Sequence, residues 1–246
     1  MNAKLSLLRL VLLEFEGYWS FPVFELVLFA AFFSILNQPA QTMITGYSNL
    51  NRGIYGIGIL LQILIVGLIV PRSFAGSISR REIVVLLSYP VKRWTLLLSK
   101  ILANFLPLMA LLSCAIFAAV PLLGLSLLEA APYALILTAS IQLLFLFSIA
   151  MFISVIVKNE IVSIFVFLLL MLGIEFNPLT MSGPFTYLTQ IRSNDILYQY
   201  LAGVFYNSPS AYGFDQFISA LSFILLVSFL LITSVFVYYV HVMQVD

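Results

Sequence analysis

The chain has 246 residues, of which 11 are Lys or Arg and 10 are Asp or Glu, so 9% are charged; 63% are hydrophobic and the mean hydropathy is +1.13. Soluble domains carry about 25% charged and about 45–50% apolar residues, so this composition excludes a soluble globular domain, a disordered chain and a nucleic-acid binder. The formal net charge of +1 leaves no overall basic surplus for phosphate, and the one cysteine, Cys114, excludes a disulfide framework and a cysteine metal site. The one histidine, His241, rules out a His–His metal site.

Residues 1–17 predict a helix lying on the membrane. At roughly 100° per residue, Asn2, Ser6, Arg9 and Glu16 share one arc, and Leu5, Leu8, Leu12 and Phe15 lie opposite. Lys4 and Glu14 fall outside the polar arc. Two roles fit such a helix: a simple interfacial anchor, or an elbow that also touches a cytoplasmic partner.

A membrane span needs about 20 mainly apolar residues. Six segments meet or approach this: 18–36, 54–70, 101–124, 133–157, 161–175 and 217–240. The third carries Pro107 and Pro121, which predict kinks. Orientation follows Lys and Arg in the short loops. Lys4, Arg9, Arg72, Arg80, Arg81, Lys92, Arg93, Lys100 and Lys158 collect on one side, and Arg52 and Arg192 on the other. Nine against two predicts a multi-pass protein of the plasma membrane with both termini cytoplasmic.

Glu25 falls inside the first span, where a charge costs about 2.5–3.5 kcal/mol on insertion scales. It is either a neutral structural group or a candidate pathway residue. Glu175 closes the fifth span and is expected at the interface; Gln62 and Gln142 are expected to bridge helices.

The loop 71–100 is the most informative stretch, and Arg72–Lys100 holds six of the nine inside charges. Ser79 followed three residues later by Glu82, and then by Ile83, Val84, Val85, Leu86 and Leu87, predicts a capping box opening a short apolar helix. Pro90 ends it. Lys100 is expected to snorkel to the interface at the start of the third span. Positive-inside charge accounts for Arg80, Arg81, Lys92 and Arg93, but not for an apolar helix, which must bury one side against something.

Here the chain resembles the permease subunits of ABC-2 type ABC transporters. The resemblance rests on Glu82, the stretch Leu86-Leu87-Ser88-Tyr89-Pro90-Val91-Lys92-Arg93, and Lys100. About thirty residues carry it directly; six spans, the N-terminal helix and the longer outer segment extend it as architecture. Ile83 and Val84 stand where the family often has Gly-Thr. The resemblance implies that residues 79–87 form a coupling helix: Ser79, Arg80, Arg81, Glu82 and the run to Leu87 would dock on a separate ATPase subunit.

The segment 177–216 is predicted external. The fifth span, 161–175, is roughly 22 Å long against a hydrocarbon core of about 30 Å. Asn177-Pro178 and Ser182-Gly183-Pro184 follow at once, so a re-entrant pair of short helices is expected, the first over Phe185–Ile191 and the second capped by Ser193 or Asn194. Ile196, Leu197, Tyr200, Leu201, Val204 and Phe205 would form its apolar face. The resemblance points to the same hairpin between spans five and six. Phe185, Tyr187 and Tyr200 are candidate outer-gate residues; Tyr187, Tyr198, Tyr206 and Tyr212 fit an interfacial aromatic belt equally well.

No GxxxxGK[ST] and no HExxH occur, and Asp195, Asp215 and Asp246 all lie outside the predicted spans. No catalytic, cofactor or metal residue is assigned. The expectation is an all-α single transmembrane domain that is not itself an enzyme. It would pair with a second copy, contact lipid and no nucleic acid, and be driven by two ATPase subunits that bind ATP and Mg; export is the commoner direction in that family. The rival expectations are a self-contained proton-coupled carrier using Glu25 and a non-transporting membrane scaffold.

Overall fold

The computed structural model describes residues 7–18, 57–82, 92–122, 126–176, 187–205, 210 and 212–242. Glu25, the predicted span 18–36 beyond its first residue, Ile83, Val84, Val85, Leu86, Leu87 and Phe185 lie outside the described residues. Those described are helical, without a strand among them. The helices are α1 (Leu7–Tyr18), α2 (Ile57–Pro71), α3 (Arg93–Leu122), α4 (Ala131–Val157), α5 (Glu160–Phe176), α6 (Gln190–Phe205) and α7 (Phe214–Val237). α2 runs on without a break through a π-helical turn, Arg72–Gly76, and a last α turn, Ser77–Ser79. α7 likewise continues into a π turn, Tyr238–Val242. Among the described residues, four stretches are long and apolar enough to cross a membrane: Gln62–Ser79, Arg93–Ala118, Ala131–Val157 and Phe214–Val240. They define an all-helical protein suited to a bilayer.

α4 is the centre of the bundle and packs against α2, α3, α5, α6 and α7. Its sequence is apolar on every side, which is what a helix surrounded by others requires. Pro132 stands in its first turn, where the missing N–H costs nothing. Lys158, in the left-handed region at φ 57°, ends it and returns its N–H to Ser154 O. Phe145, Leu146, Phe147 and Met151 are fully buried, with Phe147 edge-on to Phe74 of the π turn and to Phe105 of α3. α5 is capped by the preceding Asn159, whose Oδ1 accepts the Val162 N–H. At 17 residues α5 spans roughly 26 Å, still short of a full hydrocarbon core. α2 lies against α5, and Gly67 lets them approach: a Cβ there would stand 2.7 Å from the Phe167 ring.

Three boundaries differ from expectation. The second apolar segment does not end at Val70; the helix continues to Ser79, burying Ser73, Phe74, Ala75 and Ser77. Pro71 has no N–H for the Gly67 carbonyl, and the turn after it widens instead of breaking. Ser193 and Asn194 do not cap a second outer helix; they lie inside α6, which begins at Gln190. Of the residues expected to form the first outer helix, Tyr187–Leu188 make a 3-10 turn, and 190 and 191 already belong to α6. α3 starts at Arg93, as expected of the helix that enters the third span.

Candidate functional site

The charges gather at one end of the bundle, called here the basic end, where α2 finishes, α3 and α5 begin, and α4 and α7 finish. Three polar ties cross between elements there. The first is buried. Lys100 of α3 is 1% exposed, and its Nζ donates to Glu14 Oε2 of α1 at 2.8 Å and to Ser73 O of the π turn at 3.3 Å. One turn further on, Asn104 Nδ2 donates to Ser73 Oγ at 2.8 Å and to Lys100 O at 2.7 Å. Lys100 therefore does not snorkel outward. Burying a cation is tolerable only with partners of this quality, and Glu14 supplies the opposite charge. Through this contact Leu10 and Glu14 turn inward against α3, while Leu8, Leu12 and Leu13 are exposed.

The second tie is Arg80 Nη2 to Glu160 Oε2 at 2.6 Å, joining the end of α2 to the first residue of α5. Arg80 also stands 3.7 Å from Glu82. Gly76 makes room for this pair, since a Cβ there would sit 2.7 Å from Glu160 Oε2. The third is a long hydrogen bond, Arg93 Nη1 to Val240 O at 3.5 Å, from the start of α3 to the π turn ending α7. Beside it, Lys158 Nζ lies 5.6 Å from the Tyr238 ring centre, in cation–π range.

The predicted capping box is not what Ser79 forms. Ser79 is the last residue of the α2 helix, and its hydroxyl donates back to Gly76 O at 3.0 Å. Arg81 takes the left-handed conformation at φ 59°, the usual way to leave a helix end. A new helical residue appears at Glu82. Ser79, Arg80 and Arg81 thus belong to the root of the candidate docking segment, not to its first turn. The cue in the sequence was the pair Arg80-Arg81 itself, since basic residues favour a helix C-terminus.

At the opposite end, Gln142 Nε2 donates to Ser193 Oγ at 3.0 Å, bridging α4 to α6 as expected of Gln142. Gln62 Oε1, by contrast, is buried without a hydrogen-bond partner. Gln142 lies eleven residues into α4, so the start of α6 sits roughly 16 Å down from the α4 N-terminus. Tyr187 meets Phe223 of α7 at 6.2 Å, whereas Tyr200 stacks on Phe217 at 4.5 Å and nears Phe214 at 5.9 Å. α6 thus climbs along α7 from depth toward its N-terminal end. Both candidate gate rings rest on α7. Tyr198 is buried, at 2% exposed, and so does not serve in an interfacial belt; Ile196 and Leu197 are buried too, while Val204 and Phe205 are exposed. Tyr212 OH donates to Asp195 Oδ2 at 3.0 Å; burial first, and then this bond, push the Tyr212 phenol above its usual range. Glu175, expected at the interface, is 3% exposed and continues the inward stripe Ser163, Phe167, Met171 of α5. Most buried serines bond a carbonyl of their own helix, as Ser99, Ser148 and Ser154 do, and are structural. Among the described residues no cluster of His, Cys, Asp and Glu could hold a metal.

Comparison of the chain with protein-family models, with curated proteins and with solved structures finds no match in any of the three.

Proposed function

We propose that this chain is the permease subunit of an ABC transporter of the ABC-2 type, one half of a homodimer driven by two separate ATPase subunits. The observation that carries the reading is how the segment after Arg81 is rooted. It leaves the bundle at Arg80, tied to α5, and returns at Arg93, tied to the end of α7. About two and three turns further, α3 is tied to α1 and to the π turn of α2 through Lys100 and Asn104. A force on residues 83–91 therefore reaches α1, α2, α3, α5 and α7 through short side-chain links. A loop that only enforced topology would need charge, not these links.

The mechanism follows from that layout. The segment from Glu82 to Leu87 docks its apolar side in a cleft of the ATPase. ATP and Mg bound there draw the two ATPases together. The docked segments move with them and tilt the helices rooted at the basic end, opening a path at the other end in the exporting direction. On this reading the basic end is cytoplasmic, and α6, which starts at depth and rises along α7, is the outer arm of a re-entrant hairpin. Six spans complete the domain.

The test is a set of variants read by ATPase co-purification and substrate-stimulated hydrolysis. Val85→Asp places a charge on the docking side, where burial without a partner is expensive. It should release the ATPase or uncouple hydrolysis from transport, with correct membrane insertion. Arg80→Ala with Arg81→Ala should leave the apolar docking run intact and weaken coupling less. Full binding and full coupling in Val85→Asp would sink the proposal.

A further inference from the structure

Two π-helical turns occur among the described residues, Arg72–Gly76 and Tyr238–Val242, and both lie at the basic end. Each offers a backbone carbonyl to a cation from α3: Ser73 O to Lys100, and Val240 O to Arg93. Lys100 and Arg93 are seven residues apart, about two turns, and so share one face of α3. A π turn closes its hydrogen bonds i→i+5 in place of i→i+4 and is rare outside functional positions. Its carbonyls are therefore available to a side chain in a way that an uninterrupted α-helix does not allow. We propose that Lys100 is a positioning residue that holds α2 in its π register, and that reversion of this turn to α register rotates the root of the docking segment.

The geometry sets the size of that rotation. Reversion moves every residue after the turn by one place, roughly 100° about the axis and about 1.5 Å along it. Arg80 would swing away from Glu160, and Glu82, where the docking segment begins, would turn with it. The Arg80–Glu160 pair cannot be what holds the register, because its side chains are 45% and 27% exposed and such pairs contribute little. Lys100 is 1% exposed, and Asn104 holds Ser73 by its hydroxyl beside it. Glu14 makes the arrangement answer to α1 as well. What the rotation drives rests on the proposed function; the register itself does not, and it is tested on the chain alone.

The experiment is a cross-link by a short bifunctional thiol reagent between Arg80→Cys and Glu160→Cys in a Cys114→Ser background, in lipid nanodiscs without any partner; the reagent replaces the reach of the two long side chains whose tips meet at 2.6 Å. In the chain with Lys100 the pair should cross-link efficiently. Lys100→Met should lower the yield several-fold. Deleting Ala75 from the Lys100→Met chain removes the extra residue from the wide turn, so the α register then puts position 80 back against position 160, and the yield should recover. If Lys100→Met is not monodisperse because Glu14 is left buried without its partner, the same comparison is made in the Glu14→Leu, Lys100→Met chain. An unchanged yield on loss of Lys100, or no rescue of the yield by the deletion, would overturn the proposal. ATPase co-purification from native membranes, measured separately on the unmodified chain, decides the functional reading and leaves the cross-linking result standing.

Discussion

Three glycines give a graded test of how tightly the bundle is packed. A Cβ at Gly67 would stand 2.7 and 3.0 Å from two ring carbons of Phe167 and 3.1 Å from Leu168. Phe167 is fully buried, so its ring cannot step aside. A Cβ at Gly76 would meet Glu160 Oε2 at 2.7 Å and Arg80 Nη2 at 3.3 Å, but both are ends of flexible side chains. A Cβ at Gly173 meets nothing within 4 Å. Each Gly→Ala change gains about 1 kcal/mol of helix propensity. That term is common to the three and cancels in a comparison. Overpacking at Gly67 costs about 1–3 kcal/mol, so Gly67→Ala should fall below Gly173→Ala by about that much. At roughly 2–4 °C per kcal/mol for a chain of this size, the gap is several degrees in Tm. Gly76→Ala gives up at most the exposed ion pair, about 0–1 kcal/mol, and should lie between the two. Thermal unfolding of the three variants in one detergent, followed by size-exclusion fluorescence, reads the order directly. A Gly67→Ala chain as stable as Gly173→Ala would refute the close contact of α2 with α5.

Removing one partner of the buried Glu14–Lys100 pair should cost about 3–5 kcal/mol, whereas Glu14→Leu with Lys100→Met together should recover most of it; a double-mutant cycle on thermal stability in detergent measures this, and additive losses would contradict the pairing. The Tyr212 phenol is raised above its ordinary value of about 10. Burial first, and the bond to Asp195 second, favour the neutral phenol, a contribution to stability that is fully present below pH about 10 and is lost as pH rises through the raised value. Difference absorbance against Tyr212→Phe should show a midpoint above 10 that falls in Asp195→Ala; a midpoint at or below 10, or one unmoved by Asp195→Ala, would contradict this placement. A cysteine at exposed Asp215, in the first turn of α7 at the end opposite the basic one, with Cys114→Ser, should react with an impermeant thiol reagent from outside intact cells, and one at Ser88 only after permeabilisation. The reverse pattern would invert the orientation and remove the docking argument.

The middle of the bundle was legible from apolar length alone. The segment predicted over 133–157 is the helix Ala131–Val157, and the one over 217–240 overlaps the helix Phe214–Val237 and its π turn. At the basic end the start of α3 was legible but the end of α2 was not, because Arg72 read as a loop charge, and the burial of Lys100 was not. Arg72 is exposed from a helical turn, and Lys100 is buried within a helix. Two residues fitted their expected patterns poorly: Glu14 lay outside the polar arc of the first helix, and Lys100 stood at an apolar boundary. They are each other's partners. Opposite charges that suit neither local pattern are candidates to pair, and no single-helix periodicity can show it. Ser193 and Asn194 suited a cap by residue type, but Ser193 serves within α6, bonding Thr189 O and accepting from Gln142. Depth, not local preference, decided that position.

The measurement that bears most directly on the proposed function is native mass spectrometry of the chain purified from its own membranes in a mild detergent. The account predicts two copies of this chain with two copies of an ATPase subunit, and loss of the ATPase alone when Val85 is changed to Asp. A chain that purifies without any ATPase, and that carries flux driven by a proton gradient and abolished by Glu25→Gln, would contradict it.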